Sequence, residues 1–246
     1  AGCVLLQRRV TDYHLESYSE WSSIDGFDFI IRAPFKILMT HDSVEPHFTA
    51  TGDTLPAGKL HTFGNVLVGL KNQFREGKWS FAWQLDLMIP TNIFTTETGL
   101  RTDYHSFGVI PSLHTGTSGN GWYVSSQVGF LFRTDKYSIE YFINSEAGVT
   151  YKNRLWVAGV LNLNKSFFNG DRNDGTSKQT GTYLNDREYL AYGVKAWVMA
   201  TEQLGIAYGY YSAVMTHNVP AAPVHSFGIF LKLEPWEPQY KQVDGS

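Results

Sequence analysis

From Trp79 to Ile89 a large apolar side chain falls on every second position. Trp79, Phe81, Trp83, Leu85, Leu87 and Ile89 share one parity, and Lys78, Ser80, Ala82, Gln84 and Asp86 the other. Successive strand side chains point to opposite faces, so the segment predicts a strand with one apolar and one polar face. Ten further segments read as strands of the same kind, and no stretch carries the 3.6-residue period of an amphipathic helix. They are Val10–Ser22, Phe27–Met39, Phe63–Phe74, His105–Leu113, Trp122–Arg133, Ile139–Val149, Leu155–Leu163, Glu188–Val198, Leu204–Tyr210 and Ser226–Leu233. The pattern is weakest at His105–Leu113, where Pro111 removes a ladder donor.

The connections carry the next level of information. Short turns are expected at Ser23–Gly26, Arg75–Gly77, Lys152–Asn153 and Ala200–Glu202. Long connections fall at His41–Thr62, Pro90–Thr102 and Phe167–Arg187, and a medium one at His217–Pro223. Short turns at one end and longer loops at the other are how outer-membrane barrels are written, with apolar residues toward lipid and polar ones toward the lumen. The connections after the fifth and sixth segments fit that alternation least. The expectation is an all-β, antiparallel up-and-down transmembrane β-barrel forming one domain over residues 1–246. Its strands lie within about 10–233, and residues 234–246 form a periplasmic tail. Single-chain bacterial barrels favour even strand numbers, so eleven visible segments imply twelve. The first would lie within Ala1–Arg9 or be missing from an N-terminally truncated chain.

Composition narrows the alternatives. Aromatic residues make up 15% of the chain, with 14 Tyr, 16 Phe and 23 Gly. Mean hydropathy is −0.22, and no apolar run approaches the length of a spanning helix, which excludes a helical membrane protein. Half of each barrel strand faces water, so modest hydropathy suits a membrane barrel. The net charge of −3 and dispersed basic residues argue against a nucleic-acid partner. Cys3 stands alone, which removes an intramolecular disulfide and any multi-cysteine metal site. Ala1-Gly2-Cys3 is shaped like the tail of a lipoprotein cleavage signal, but three terminal residues match such a signal easily by chance.

Thr11 to Phe35, TDYHLESYSEWSSIDGFDFIIRAPF, resembles the early hairpin of the meta-pathway phenol-degradation-like family of outer-membrane transporter barrels. Phe63-Gly64-Asn65 before Gly69-Leu70-Lys71, Ile89-Pro90-Thr91, Gly129 to Arg133 and Tyr151 to Leu155 extend the resemblance over roughly Thr11 to Leu233. Asn65 stands where the family has an acid, and Phe130 where it has a Tyr. The resemblance implies a Gram-negative outer-membrane barrel that passes small, often hydrophobic or aromatic solutes, and it brings no catalytic residues. Outer-membrane lipids and an unidentified small solute are the expected partners, with no cofactor.

Candidate lumen residues follow from strand parity: Asp28, Arg32, Lys36, Lys71, Asp86, Arg133, Glu140 and Glu146. Asp12, His14, Glu16 and Glu20 face Asp28, Arg32 and Lys36 across the first hairpin, where strands about 4.8 Å apart let opposite charges pair. That stripe reads either as a selectivity patch or as a salt-bridge network satisfying charges in a narrow barrel. His41, His47 and His61 share a long loop with Asp42, Glu45 and Asp53, but their spacing matches no metal motif. FNGDRNDG, with Asp171, Asn173, Asp174 and Gly175, lacks the Glu that completes a calcium loop. No catalytic motif is present. An outer-membrane lipase, esterase or protease would draw on Ser106, Ser112 or Ser125 and a histidine on an adjacent strand. A structural or adhesive barrel with a plugged lumen is the third reading. Trp21, Trp79, Trp122, Tyr151 and Tyr208 near strand ends suit interfacial girdles.

Overall fold

The computed structural model describes residues 10–22, 26–41, 56–91, 98–152, 154–172, 183–220 and 222–231. Outside them lie Cys3, the strand expected within residues 1–9, and the tail at 234–246. His47 with its three acids, and Asn173, Asp174 and Gly175, lie outside them as well.

The described chain is all-β. Its strands are β1 (Val10–Ser22), β2 (Phe27–Thr40), β3 (Gly58–Phe63), β4 (Val66–Arg75), β5 (Ser80–Ile89) and β6 (Gly108–Gly119). They continue as β7 (Trp122–Arg133), β8 (Glu140–Tyr151), β9 (Leu155–Ser166), β10 (Glu188–Met199), β11 (Leu204–His217) and β12 (Val224–Leu231). All twelve belong to one antiparallel up-and-down sheet, in which β3 is the one strand off the sequential path. β4 pairs with the first half of β2, Phe27 to Arg32, and β3 with the second half, Phe35 to Thr40. The segment expected as one strand from Phe63 to Phe74 is thus two strands laid along one neighbour, broken at Gly64-Asn65. A Cβ on Gly64 would stand 2.7 Å from the Thr102 carbonyl oxygen, so the break sits where backbone approaches backbone and only glycine fits.

A second correction concerns the segment expected at His105–Leu113. The strand starts at Gly108 and runs to Gly119. Its second half, Thr115 to Gly119, has no apolar parity to reveal it. Pro111 pairs with Leu85 of β5, while the ladder to β7 omits Ile110 and Pro111, as a residue without an N–H requires. β6 and β7 then join through Asn120-Gly121, with Gly121 at φ 81°, a tight hairpin of the Asn-Gly kind. The apparent middling loop disappears. Connections of two to four residues follow β1, β4, β6, β8 and β10 at one end of the sheet, and the longer connections gather at the other.

The faces are inside-out relative to a water-soluble protein. On β5 the buried side chains are Ala82, Gln84, Asp86 and Met88, whereas Leu85, Leu87 and Ile89 are exposed. Gln84 and Asp86 are 3% and 4% accessible, and Leu87 is 49%. The same inversion puts Val124, Val128, Phe130 and Phe132 of β7, and Val157 and Leu161 of β9, on the outer face. Trp21, Trp79, Trp122 and Tyr151 are exposed at the short-turn end, and Tyr208 lies one turn of the ladder further in.

The sheet curls on itself. Met88, Tyr104, Leu131 and Tyr137 form a buried cluster against which Leu67, Ile110 and Tyr183 pack, so β4, β5, β6 and β7 meet the connection between β9 and β10. Lys36 of β2 lies 5.2 Å from the Tyr183 ring centroid. With eleven staves on the path, β1 and β12 run in the same direction. One cleft of about 950 Å³ has His14, Leu15 and Glu16 on one side and Phe227, Gly228 and Ile229 on the other, so the two edges stand across from each other.

Candidate functional site

The polar parity of β1, β2 and β4 builds a charged wall on the inner face. Lys36 Nζ is 3.1 Å from Asp12, and Lys71 Nζ is 2.7 Å from Glu20 and 3.9 Å from Asp28. Lys71 joins the two flanking acids because β4 and β1 are the two neighbours of β2, with Phe27 to Arg32 shared between them. Arg32 lies over the Tyr18 ring at 5.3 Å. Further round, Gln84 donates to both Asp86 oxygens at 2.8 Å, and Glu146 takes Lys195 and the Tyr123 hydroxyl.

At the long-loop end the wall gives way to a cap. Glu140, wholly buried at the start of β8, is held between two guanidinium groups: Arg133 at the end of β7 and Arg187 just before β10, the latter at 2.8 Å. Asn164 adds a hydrogen bond at 3.1 Å. Arg133 Cζ lies 4.4 Å from the ring centroids of both Tyr104 and Tyr137. Its Nε and Nη1 have no hydrogen-bond acceptor, and the faces of the two tyrosines take that place. Arg187 stacks on Tyr104 at 4.8 Å and Arg172 on Tyr137 at 4.9 Å. Tyr104 meets Tyr137 and Tyr183 edge-on, with centroids at 5.5 and 5.0 Å. Backbone polar groups of the inturned connections are satisfied as well: Arg101 Nη2 donates to the Tyr104 carbonyl at 2.8 Å, and the Ser138 amide to Asn185 Oδ1 at 2.8 Å.

Burial pushes the Tyr104 phenol up to about 12 against the pull of Arg187 and Arg133. Burial works against the charge of Arg187, but Tyr104 and Glu140 outweigh it and raise its pKa. A phenol whose folded value stands above its ordinary 10 contributes stability that is fully present below pH 10 and is lost as pH rises toward 12. The cap is therefore expected to loosen in that window. A tyrosinate absorbance titration with a midpoint near 10 for every tyrosine would contradict it.

The eight candidate lumen residues all lie on the inner face, in two groups. Asp28, Arg32, Lys36, Lys71 and Asp86 belong to the charged wall and its continuation, and Arg133 and Glu140 to the cap, with Glu146 between. Tyr104, Tyr137, Tyr183 and Arg187 were invisible to strand parity because they sit in connections, where no alternation orients a side chain. Ser112, among the serines named above, is 3.1 Å from His114 on its own strand and accepts from Gln127 at 3.2 Å. The described hydrogen bonds place no carboxylate on His114. His41 directly follows β2, and His61 on β3 pairs with Ile37 of β2. Among the described residues no group of three or more metal-ligating side chains converges.

No protein-family model matches this sequence, and no curated protein matches it. A solved structure does. The COG4313 outer membrane channel from Pseudomonas putida F1 superposes with a TM-score of 0.65 at 13% identity, covering 90% of this chain and 82% of that one. At that identity the likeness establishes the fold.

Proposed function

We propose that this chain is an outer-membrane barrel that acts as a narrow, selective channel for small solutes. The observation carrying the reading is the inverted sheet: Gln84, Asp86 and Glu140 buried inside, and rows of Leu, Val, Phe and Ile outside. Such an exterior is unfavourable in water and favourable in lipid. The aromatic residues at the short-turn end match an interfacial girdle, and short turns on the periplasmic side with longer loops outside support an extracellular cap. The likeness to an outer membrane channel agrees. A ring this small is largely filled by its own side chains, so passage is expected to be slow and discriminating. Solutes must pass a wall of ion pairs, which favours polar ones over the hydrophobic class that the sequence resemblance implies.

The test is the protein refolded in detergent. Unboiled samples are expected to run at a different mobility from boiled ones and, in planar bilayers, to give small unitary conductances. A monomer soluble without detergent would overturn the reading. Within the channel, Arg32→Gln with Lys36→Gln removes two cations from a stripe that also holds Asp12, Glu16, Glu20 and Asp28. The reversal potential in a salt gradient is expected to move toward cation selectivity; an unchanged potential would take this stripe off the conduction path.

A further inference from the structure

The wall opposite the charged stripe is built from aromatic rings seated on glycines. A Cβ on Gly148 would fall 2.5 Å from the Tyr123 ring, and one on Gly193 2.5 Å from the Tyr211 ring. Gly129 and Gly205 are covered in the same way by Phe142 and Phe230. Each pair spans neighbouring strands on the inner face. A glycine under an aromatic lets the ring lie over the backbone instead of projecting across the lumen. Below Tyr123, Trp156 and Trp197 are direct cross-strand partners with rings 4° from coplanar and centroids 5.8 Å apart. Tyr123 is 6.2 Å from Trp197. The rings thus line the wall while leaving the passage beside them open.

Two cavities follow this track. One of about 540 Å³ at the short-turn end is walled by Trp156, Trp197 and Phe230. Another of about 380 Å³ further up is lined by Gln127, Asn144, Glu146 and Asn162. Both fall in the range of roughly 300–1,000 Å³ that suits small molecules. Glu146 links them, since it binds the Tyr123 hydroxyl and Lys195 and lines the upper cavity.

The charges choose among ring-bearing solutes. Along the upper track and the wall opposite, Lys36, Lys71, Lys195 and Arg133 each already hold a carboxylate, so an ionic solute there would have to break a pair to gain one. At the short-turn mouth Lys152 and Arg154 stand with Glu202 around the lower cavity. An apolar ring would strip water from the ion pairs opposite and return no hydrogen bonds. A neutral polyhydroxylated ring avoids both costs. Its C–H face stacks on indole, and its hydroxyls exchange water for amide, carboxylate and ammonium partners. We infer that the track is a binding path for neutral saccharides of one to three pyranose rings, an inference that rests on the channel reading and names its solute.

The experiment titrates maltotriose, with benzyl alcohol and benzoate as comparison probes, into the detergent-refolded protein, following tryptophan fluorescence. Bilayer current block is recorded in parallel. A saturable response to maltotriose is expected at millimolar concentrations, stronger than to either aromatic probe. Trp156→Leu and Trp197→Leu keep apolar volume but remove the stacking face; each is expected to weaken binding roughly five- to tenfold, with Trp→Phe restoring part of it. Unchanged heat-modifiability shows that the variants fold. No saturable sugar response, an equal or stronger one to benzyl alcohol or benzoate, or one indifferent to both Trp variants overturns the inference. Fluorescence does not depend on conductance, so a conducting protein that ignores sugar fails here alone, whereas one that never conducts fails the channel reading.

Discussion

Glu140→Ala is expected to cost the folded protein about 3–5 kcal/mol, the usual penalty for stranding buried charge by removing its partner, and to raise the unitary conductance. Glu140 is the carboxylate shared by Arg133 and Arg187, and both it and the Arg133 side chain are inaccessible. Without it, Arg133 keeps its place between Tyr104 and Tyr137 through cation–π contact, worth about 2 kcal/mol when desolvated, and one long hydrogen bond to the Ser138 carbonyl at 3.4 Å. Arg187 anchors the connection that brings Tyr183 across the lumen onto Tyr104. Once released, that connection has no other charged tie among the described ion pairs. Stability is read from the temperature at which the unboiled gel form is lost, and the cap from single-channel current. Glu140→Leu with Arg133→Met and Arg187→Met should recover most of the stability, because apolar side chains of similar volume replace all three members of the buried charged triad at little cost. A Glu140→Ala protein within 1 kcal/mol of the parent, with unaltered current, would mean that the cap is held by its backbone hydrogen bonds.

The staves of this barrel were legible because period-two alternation is a consequence of strand geometry, and β5, β7 and β9 show it residue by residue. Where the geometry bends, the signal fails for a physical reason. Gly64-Asn65 shifts the outward parity by one, from Phe63 beside Phe35 to Val68 beside Ile31. A segment that begins at Phe63 holds too little of β3 to reveal the shift, so β3 and β4 read as one. Thr115 to Gly119 carries small polar residues on both faces, so half of β6 reads as loop. Strand parity groups the charged residues by face but does not give their partners, since Lys71 reaches Glu20 from two strands away through the twist and curl of the sheet. Of the cap, strand parity reached only Arg133 and Glu140. Tyr104, Tyr137 and Arg187 belong to connections, and what joins them is the inward fold of three loops that are far apart in sequence. The glycine seats were hidden differently: Gly148 beneath Tyr123 is a cross-strand pairing in the β7–β8 ladder, visible only once register is known.

Two substitutions one residue apart decide what surrounds the barrel. Leu161 and Asn162 are neighbours near the middle of β9, Leu161 on the exterior at 49% accessible and Asn162 lining the upper inner cavity. If water covered the exterior, Leu161→Arg would be nearly neutral, as exposed substitutions away from special features generally are. In a bilayer the same arginine lies near the hydrocarbon midplane and is expected to cost about 2–4 kcal/mol. Asn162→Arg places its charge in the lumen among Glu146 and Asn144; it should fold with little loss and change selectivity instead. The measurement is reversible guanidinium unfolding in lipid vesicles for both variants and the parent. A large loss for Leu161→Arg beside a small one for Asn162→Arg requires lipid on the outside and water within. The reverse order would put the solvent on the outer face, and the exposed rows of Val, Leu and Phe would then have to be covered by protein.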